Sequence, residues 1–367
     1  APHEAGIWTF EDLGSARATV AADNSDLTLD GIGIVSAAGS YRAGLRIPLP
    51  SAAAKLNLSA NGNLDTSTAD LSVTNTGVGS NAAATATLVT AGGWIKVGQA
   101  DITTLGTGSA ELTVNGGADV AVTAALSATS DNGTANITLG SGNGNLTIDE
   151  SVTASGNASA TVDAMTNGLL TANADITANA VNGQAQVALS SETDKAVLNG
   201  NVNANGGWHG GVNVSAAQGI DLNGDILASA ASANGYADVA LSSAPVTTLV
   251  PAAGGNITQD AESTIRATGA SARVSAGAPT FALGGTTEVL ATTGSASLDV
   301  QGDAGSLHDF TVASTNGSAN ATVAANTGDL TLDGAGIVSG GGSYDMGLAR
   351  DAGGAGAGLQ LSANGKL

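Results

Sequence analysis

The chain has 367 residues with 53 Gly, no Cys, 2% aromatic and 11% charged residues, and a formal net charge of −21. So little bulk excludes a conventional globular core, because large side chains carry most of the burial energy, while a mean hydropathy of +0.17 with so little charge excludes a disordered chain. The acidity excludes nucleic-acid binding and docking on anionic lipid, which need a basic face, and the absence of Cys excludes disulfides, thiol catalysis and Cys-based zinc sites.

The chain opens Ala1-Pro2-His3, without Met, a basic region or an apolar stretch, and reads as a processed or excised segment whose targeting signal lies elsewhere. No apolar run reaches about 18 residues, so no membrane insertion is expected. From Gly14-Ser15-Ala16 onward a unit recurs: Gly, then Ala two residues on, then apolar residues at alternate positions. It returns at Gly108, Gly133, Gly156, Gly183, Gly235, Gly294 and Gly317, and with Tyr in place of Ala at Gly39-Ser40-Tyr41 and Gly342-Ser343-Tyr344. A second apolar anchor keeps the same beat: Ile102, Leu126, Val152, Ile176, Val202 and Ile226. A third element reads Asp26-Leu27-Thr28-Leu29-Asp30, Asn145-Leu146-Thr147-Ile148-Asp149 and Asp329-Leu330-Thr331-Leu332-Asp333, with Asp30-Gly31 and Asp333-Gly334 as turn signals.

Alternation of apolar and small polar residues has period 2 and predicts strand. One coil of two or three short strands cannot bury its own apolar edge. Stacked coils about 4.8 Å apart pair every strand in parallel and bury it. The expected fold is all-β, a parallel β-helix of about 12–14 coils of roughly 25 residues, the spacing read from these units. Small inward residues explain the scarcity of aromatics, and Asn and Thr are expected to form ladders at the turns.

A longer period lies above the coil. Residues 18–45 match 321–348 at 20 of 28 positions with a constant shift of 303, and the shift persists so that 18–64 recurs at 321–367. At about 4.8 Å per coil one such period is a rod of roughly 58 Å. The chain, 1–367, reads as a single continuous β-helical rod, a window on a longer tandem array. Arg46-Ile47-Pro48-Leu49-Pro50 and the stretch from Ala244-Pro245 to Glu262 break the beat and are predicted to be loops, because Pro interrupts ladders.

Units such as Gly144-Asn145-Leu146-Thr147-Ile148 and Asp329-Leu330-Thr331-Leu332-Asp333-Gly334 resemble the repeats of secreted β-helical exoproteins of Gram-negative bacteria. The chain resembles the shaft of a filamentous-haemagglutinin-like, two-partner-secreted adhesin, with biofilm-matrix adhesins of the CdrA kind as nearer relatives. The resemblance covers nearly the whole chain and is largely compositional; no secretion domain is recognisable in it. It implies display outside the cell, attachment to polysaccharide or to a host or neighbour cell surface, self-association among the open partners, and no enzyme activity in the shaft.

Few residues carry chemistry. His3, His209 and His308 are far apart and lack metal-ligand spacing, so no catalytic residue, metal site or cofactor is assigned. Stacked Asp turns leave a structural calcium open; the alternative is that Asp caps turns and faces water. Trp208-His209 lies between Gly206-Gly207 and Gly210-Gly211, and Trp94 follows Gly92-Gly93. Rings flanked by Gly belong at corners, where they either stack on sugar or plug the coil. Tyr236 takes the small-residue place after Gly235 and is expected to point outward. The candidate ligand-binding residues are therefore Trp94, Trp208, His209 and Tyr236. Function is read as a rod segment of an extracellular adhesin, against two alternatives: a structural filament or surface-layer subunit, and a polysaccharide-acting β-helical enzyme, which would need a carboxylate cluster on one face.

Overall fold

The structure, a computed structural model, describes residues 7–11, 15–23, 25–37, 53–77, 82–243, 255–341, 343–345 and 356–367. Among the described residues it is all-β and without helix, with strands stacked in parallel as a β-solenoid of turns of ~26 residues. The predicted fold class holds. The chain divides into two compact units, Ala1–Asn167 with Asn173–Gly183, and Gly168–Ala172 with Gln184–Leu367. Of the predicted features, Gly39-Ser40-Tyr41, Arg46 to Pro50 and residues 244–254 lie outside the described residues.

In the first unit a turn holds three strands. Thr134–Ser141, Leu146–Ile148 and Val152–Gly156 make one of them. The long strands stack through Ala84, Ala110, Ala135 and Ala160, spaced by 26, 25 and 25 residues. Alternate residues point inward, so Leu112, Ile137 and Val162 form one fully buried column and Leu88, Val114 and Leu139 another. The Ala column beside them explains the Ala of the repeat: the interior there has room for one methyl per coil. The Gly of the repeat has a different cause. A Cβ on Gly133 would overlap the carbonyl oxygen of Gly108, and one on Gly108 that of Ala82.

The second anchor needs one correction. Leu126 does not sit over Ile102; it pairs with Ala100, and Ile102 pairs with Ala128. A slip of two residues keeps every side chain on its own face, so the apolar pattern alone does not reveal it. Further along, Leu126 stacks on Val152 and Val152 on Ile176, as the spacing predicts.

In the second unit the long strands stack through Ala185, Gly210, Ala237, Ala272, Ala296, Ala319 and Ala357. Most steps are 23–27 residues, while Ala237 to Ala272 takes 35 and Ala319 to Ala357 takes 38. The 35-residue turn contains residues 244–254. The loop predicted to run on to Glu262 is shorter than that, because Asn256–Gln259 is a strand with Ile257 on Ile220 and Ile257 fully buried.

The long period is also a structural one. Ala16 pairs with Ala54 as Ala319 pairs with Ala357, and Gly31 and Gly334 share positive φ values of 90° and 86°. The equivalence reaches back beyond the recognisable match: Ile7–Glu11 pairs with Gly33 to Ala37 as Phe310–Ser314 pairs with Gly336 to Gly340.

Several buried polar side chains in this narrow interior are satisfied by the turns, while Gln259 Oε1, Thr268 Oγ1 and Thr287 Oγ1 are buried without a hydrogen-bond partner. Ser130 Oγ donates to Gly108 O at 2.9 Å and accepts from Gly133 N at 2.9 Å, and Ser314 repeats the pattern with Gly294 O and Gly317 N. Burying an unbonded hydroxyl is costly, and the bond made by Ser130 and Ser314 also braces one coil on the next. At the outer corners, Asn182 donates to Asn157 Oδ1 and Asn223 to Asn199 Oδ1, each at 2.6 Å, the amide ladder the composition predicts. Asp plays a second role. Asp26, Asp119, Asp225 and Asp329 each accept a backbone N–H of the next coil at 2.7 Å. The acidity is thus partly built into the stacking, since each such carboxylate replaces water at an otherwise orphaned donor.

Candidate functional site

The site lies at a corner of the second unit, where His209–Ala216 and Tyr236–Ser242 begin. The preceding Gly206 and Gly207 make a tight turn, and a Cβ on Gly206 would overlap the carbonyl oxygen of His209. The turn leaves Trp208 outside the coil, 49% exposed, which rules out a plug inside it. Parallel pairing puts Tyr236 directly over His209, and Tyr236 N donates to Trp208 O at 2.8 Å.

Three rings therefore form a row. His209 and Tyr236 stack with centroids 5.7 Å apart and planes 13° apart, and Trp208 meets His209 at 5.9 Å with a 36° tilt. Tyr236 is 38% exposed. The imidazole is held from below. Its Nε2 lies 2.7 Å from Asp238 Oδ1, and Gly211 leaves the space that the ring's edge occupies. Arg273 stands opposite Asp238 on the next strand. Burial raises the Tyr236 phenol above its ordinary value, the Asp238 carboxylate raises it further, and Arg273 lowers it. The phenol stays protonated around neutrality and offers a donor beside the rings.

The structure brings together three of the four sequence candidates, Trp208, His209 and Tyr236. Trp94 belongs to the first unit, where Lys96 Nζ lies 5.1 Å from its ring centre and Asn63 Oδ1 accepts its backbone N–H at 3.1 Å. Sequence reasoning missed Asp238 and Arg273, and gave Gly211 only as a flank of the ring motif. The signal was present: aligning Gln184-Ala185-Gln186, His209-Gly210-Gly211 and Tyr236-Ala237-Asp238 puts Asp238 two residues beyond the ring row, on the same face. His308 lies apart from this corner, with Asp309 and Asp333 carboxylates each 3.8 Å from its ring. Among the described residues, no group of three or more His, Asp or Glu converges as a set of metal ligands.

Fold and site together define a parallel β-solenoid with an exposed aromatic row on one corner. Comparison with protein-family models, with curated protein sequences and with solved structures gives no match.

Proposed function

We propose that the chain is a repetitive rod segment of an extracellular bacterial adhesin, and that the corner of Trp208, His209 and Tyr236 is where it contacts extracellular polysaccharide. The observation that carries this reading is the row itself: three rings, each centred within 6 Å of the next, with Trp208 and Tyr236 widely exposed. Flat apolar faces beside fixed donors and acceptors suit a sugar ring, whose axial C–H groups stack while its hydroxyls hydrogen-bond. Asp238, Arg273 and the Tyr236 phenol supply those polar partners.

The test is a glycan and matrix-polysaccharide array with purified 1–367, run beside Trp208→Ala and Trp94→Ala. Saturable binding lost in Trp208→Ala and kept in Trp94→Ala supports the reading. Absence of binding to every glycan, or equal loss in both variants, removes it.

A further inference from the structure

Two arginines of the second unit stand in the same relation to a carboxylate and meet it differently. Arg266 lies directly across a strand pair from Glu288, and its Nε reaches Glu288 Oε2 at 3.1 Å. Arg273 lies directly across a strand pair from Asp238, yet among the described residues no carboxylate comes within ion-pair distance of it. The cause is on the other side of Asp238. Its Oδ1 lies 2.7 Å from His209 Nε2, so the carboxylate is drawn to the coil before it. Gly211, which Asp238 faces on that coil, leaves room for the imidazole. On its far side Arg273 faces Ser297, which carries no charge, and the next carboxylate along that strand, Asp299, stands opposite Ser275. The exposed guanidinium has thus lost its cross-strand carboxylate to an imidazole, and its fork of donors stays open to solvent.

That open fork is beside the rings. Ser271 pairs with Tyr236 and Arg273 with Asp238, so Arg273 rises from the same outward face as Tyr236, two residues along and one strand spacing of about 4.8 Å away. A neutral sugar on this corner would stack its C–H face on the rings and give the guanidinium only hydroxyls. A sugar that carries a carboxylate uses both features: its ring stacks, and its two carboxylate oxygens take parallel N–H donors from one guanidinium.

Resting on the reading of this corner as a polysaccharide contact, we propose that the ligand is a polymer of uronic acid, and that Arg273 holds the carboxylate of the sugar unit that stacks on Tyr236. The net charge of −21 opposes a polyanion at long range. At physiological ionic strength exposed charges are screened beyond about 8 Å, so affinity is decided at the corner itself, where His209 occupies Asp238 and Arg273 stands open.

Titration calorimetry on purified 1–367 tests this with oligomers of alginate, polygalacturonate and hyaluronan, each beside the same oligomer after reduction of its carboxyl groups to alcohols. The parent is expected to bind at least one uronate oligomer about tenfold or more tightly than its reduced form, the gain of a hydrogen bond made to a charged group. Arg273→Gln should bring that ratio close to one. Arg273→Lys should fall between, because an ammonium is a point charge without the fork. Arg266→Gln removes the same charge from a paired position and should keep the parent's ratio, which separates a contact at Arg273 from a general loss of positive charge. Both arginines are exposed, and a thermal unfolding profile close to the parent's verifies the fold of each variant. Equal affinity of the parent for acid and reduced forms, a preference that survives Arg273→Gln, or one that falls as far in Arg266→Gln overturns the uronate assignment and leaves the polysaccharide contact standing. So does binding of neutral glycans alone. Absence of binding to every uronate and every neutral glycan overturns both readings.

Discussion

Two corners of the molecule share a local sequence and differ in what they build. Gly92-Gly93-Trp94 and Gly206-Gly207-Trp208 both turn tightly and both leave a Trp outside the coil. One coil beyond Trp94 the chain places Asp119, since Ile95 pairs with Val120. One coil beyond His209 it places Tyr236. The first ring therefore meets a lone cation, Lys96, and the second becomes the end of a row. In a solenoid, a motif along the chain sets the corner, but the neighbour one period away decides whether that corner is a surface or a site.

The sharpest way to break the second corner is to fill its turn. Gly206→Val puts side-chain atoms where the His209 carbonyl lies, and overpacking of this kind costs about 3 kcal/mol. A fall in thermal midpoint together with loss of near-ultraviolet aromatic dichroism is expected. An unchanged midpoint would mean that the turn is held by something other than this close approach. Next in size are the rings. Tyr236→Ala and His209→Ala each remove a stacking face worth about 1.5 kcal/mol, so polysaccharide affinity should drop about tenfold. Titration calorimetry of these variants beside Trp94→Ala would dissolve the contrast between the corners if all three behaved alike.

The fold was legible because its demands are local and repeated. Gly133 is required by the Gly108 carbonyl and Ala135 by the width of the column, so the same two residue types return in many of the coils. Register was less legible. The interior asks only for apolar or small side chains at alternate positions, so Leu126 satisfies it equally over Ala100 or over Ile102. The backward reach of the long period to Ile7 was hidden for the same reason: strand pairing constrains backbone more than side chain, and Ile7 to Glu11 has diverged from Phe310 to Ser314 without losing its place. At the site, three rings were found because large residues are rare here, whereas Asp238 and Arg273 look like any outward polar pair until Tyr236 is set over His209.

The remaining effects are smaller and concern what holds the rings. Asp238→Asn removes a carboxylate that raises the Tyr236 phenol, leaving burial as the main cause, so ultraviolet titration should show the phenol ionising at lower pH than in the parent while staying above the ordinary 10.0. The sign for stability follows. A phenol whose folded value is raised contributes stability that is complete below 10.0 and is lost as pH rises through that value toward the folded one. Asp238→Asn should narrow that window, and equal alkaline unfolding profiles for parent and variant would show that Asp238 does not act on the phenol.

The smallest effect belongs to the first corner. Lys96 sits over Trp94 on an exposed strand position, 5.1 Å from the ring centre, and a cation–π contact in water is worth about 0.5 kcal/mol. Lys96→Ala should therefore shift the unfolding midpoint slightly and shift the Trp94 emission maximum, read with Trp208→Phe as background to reduce the overlapping signal. Raising the salt concentration should mimic part of the change, because an exposed charge is screened. Polysaccharide binding should be untouched. A loss of binding in Lys96→Ala would make Trp94 and its lysine a ligand contact in their own right, and the difference between the corners would then be one of strength, not of kind.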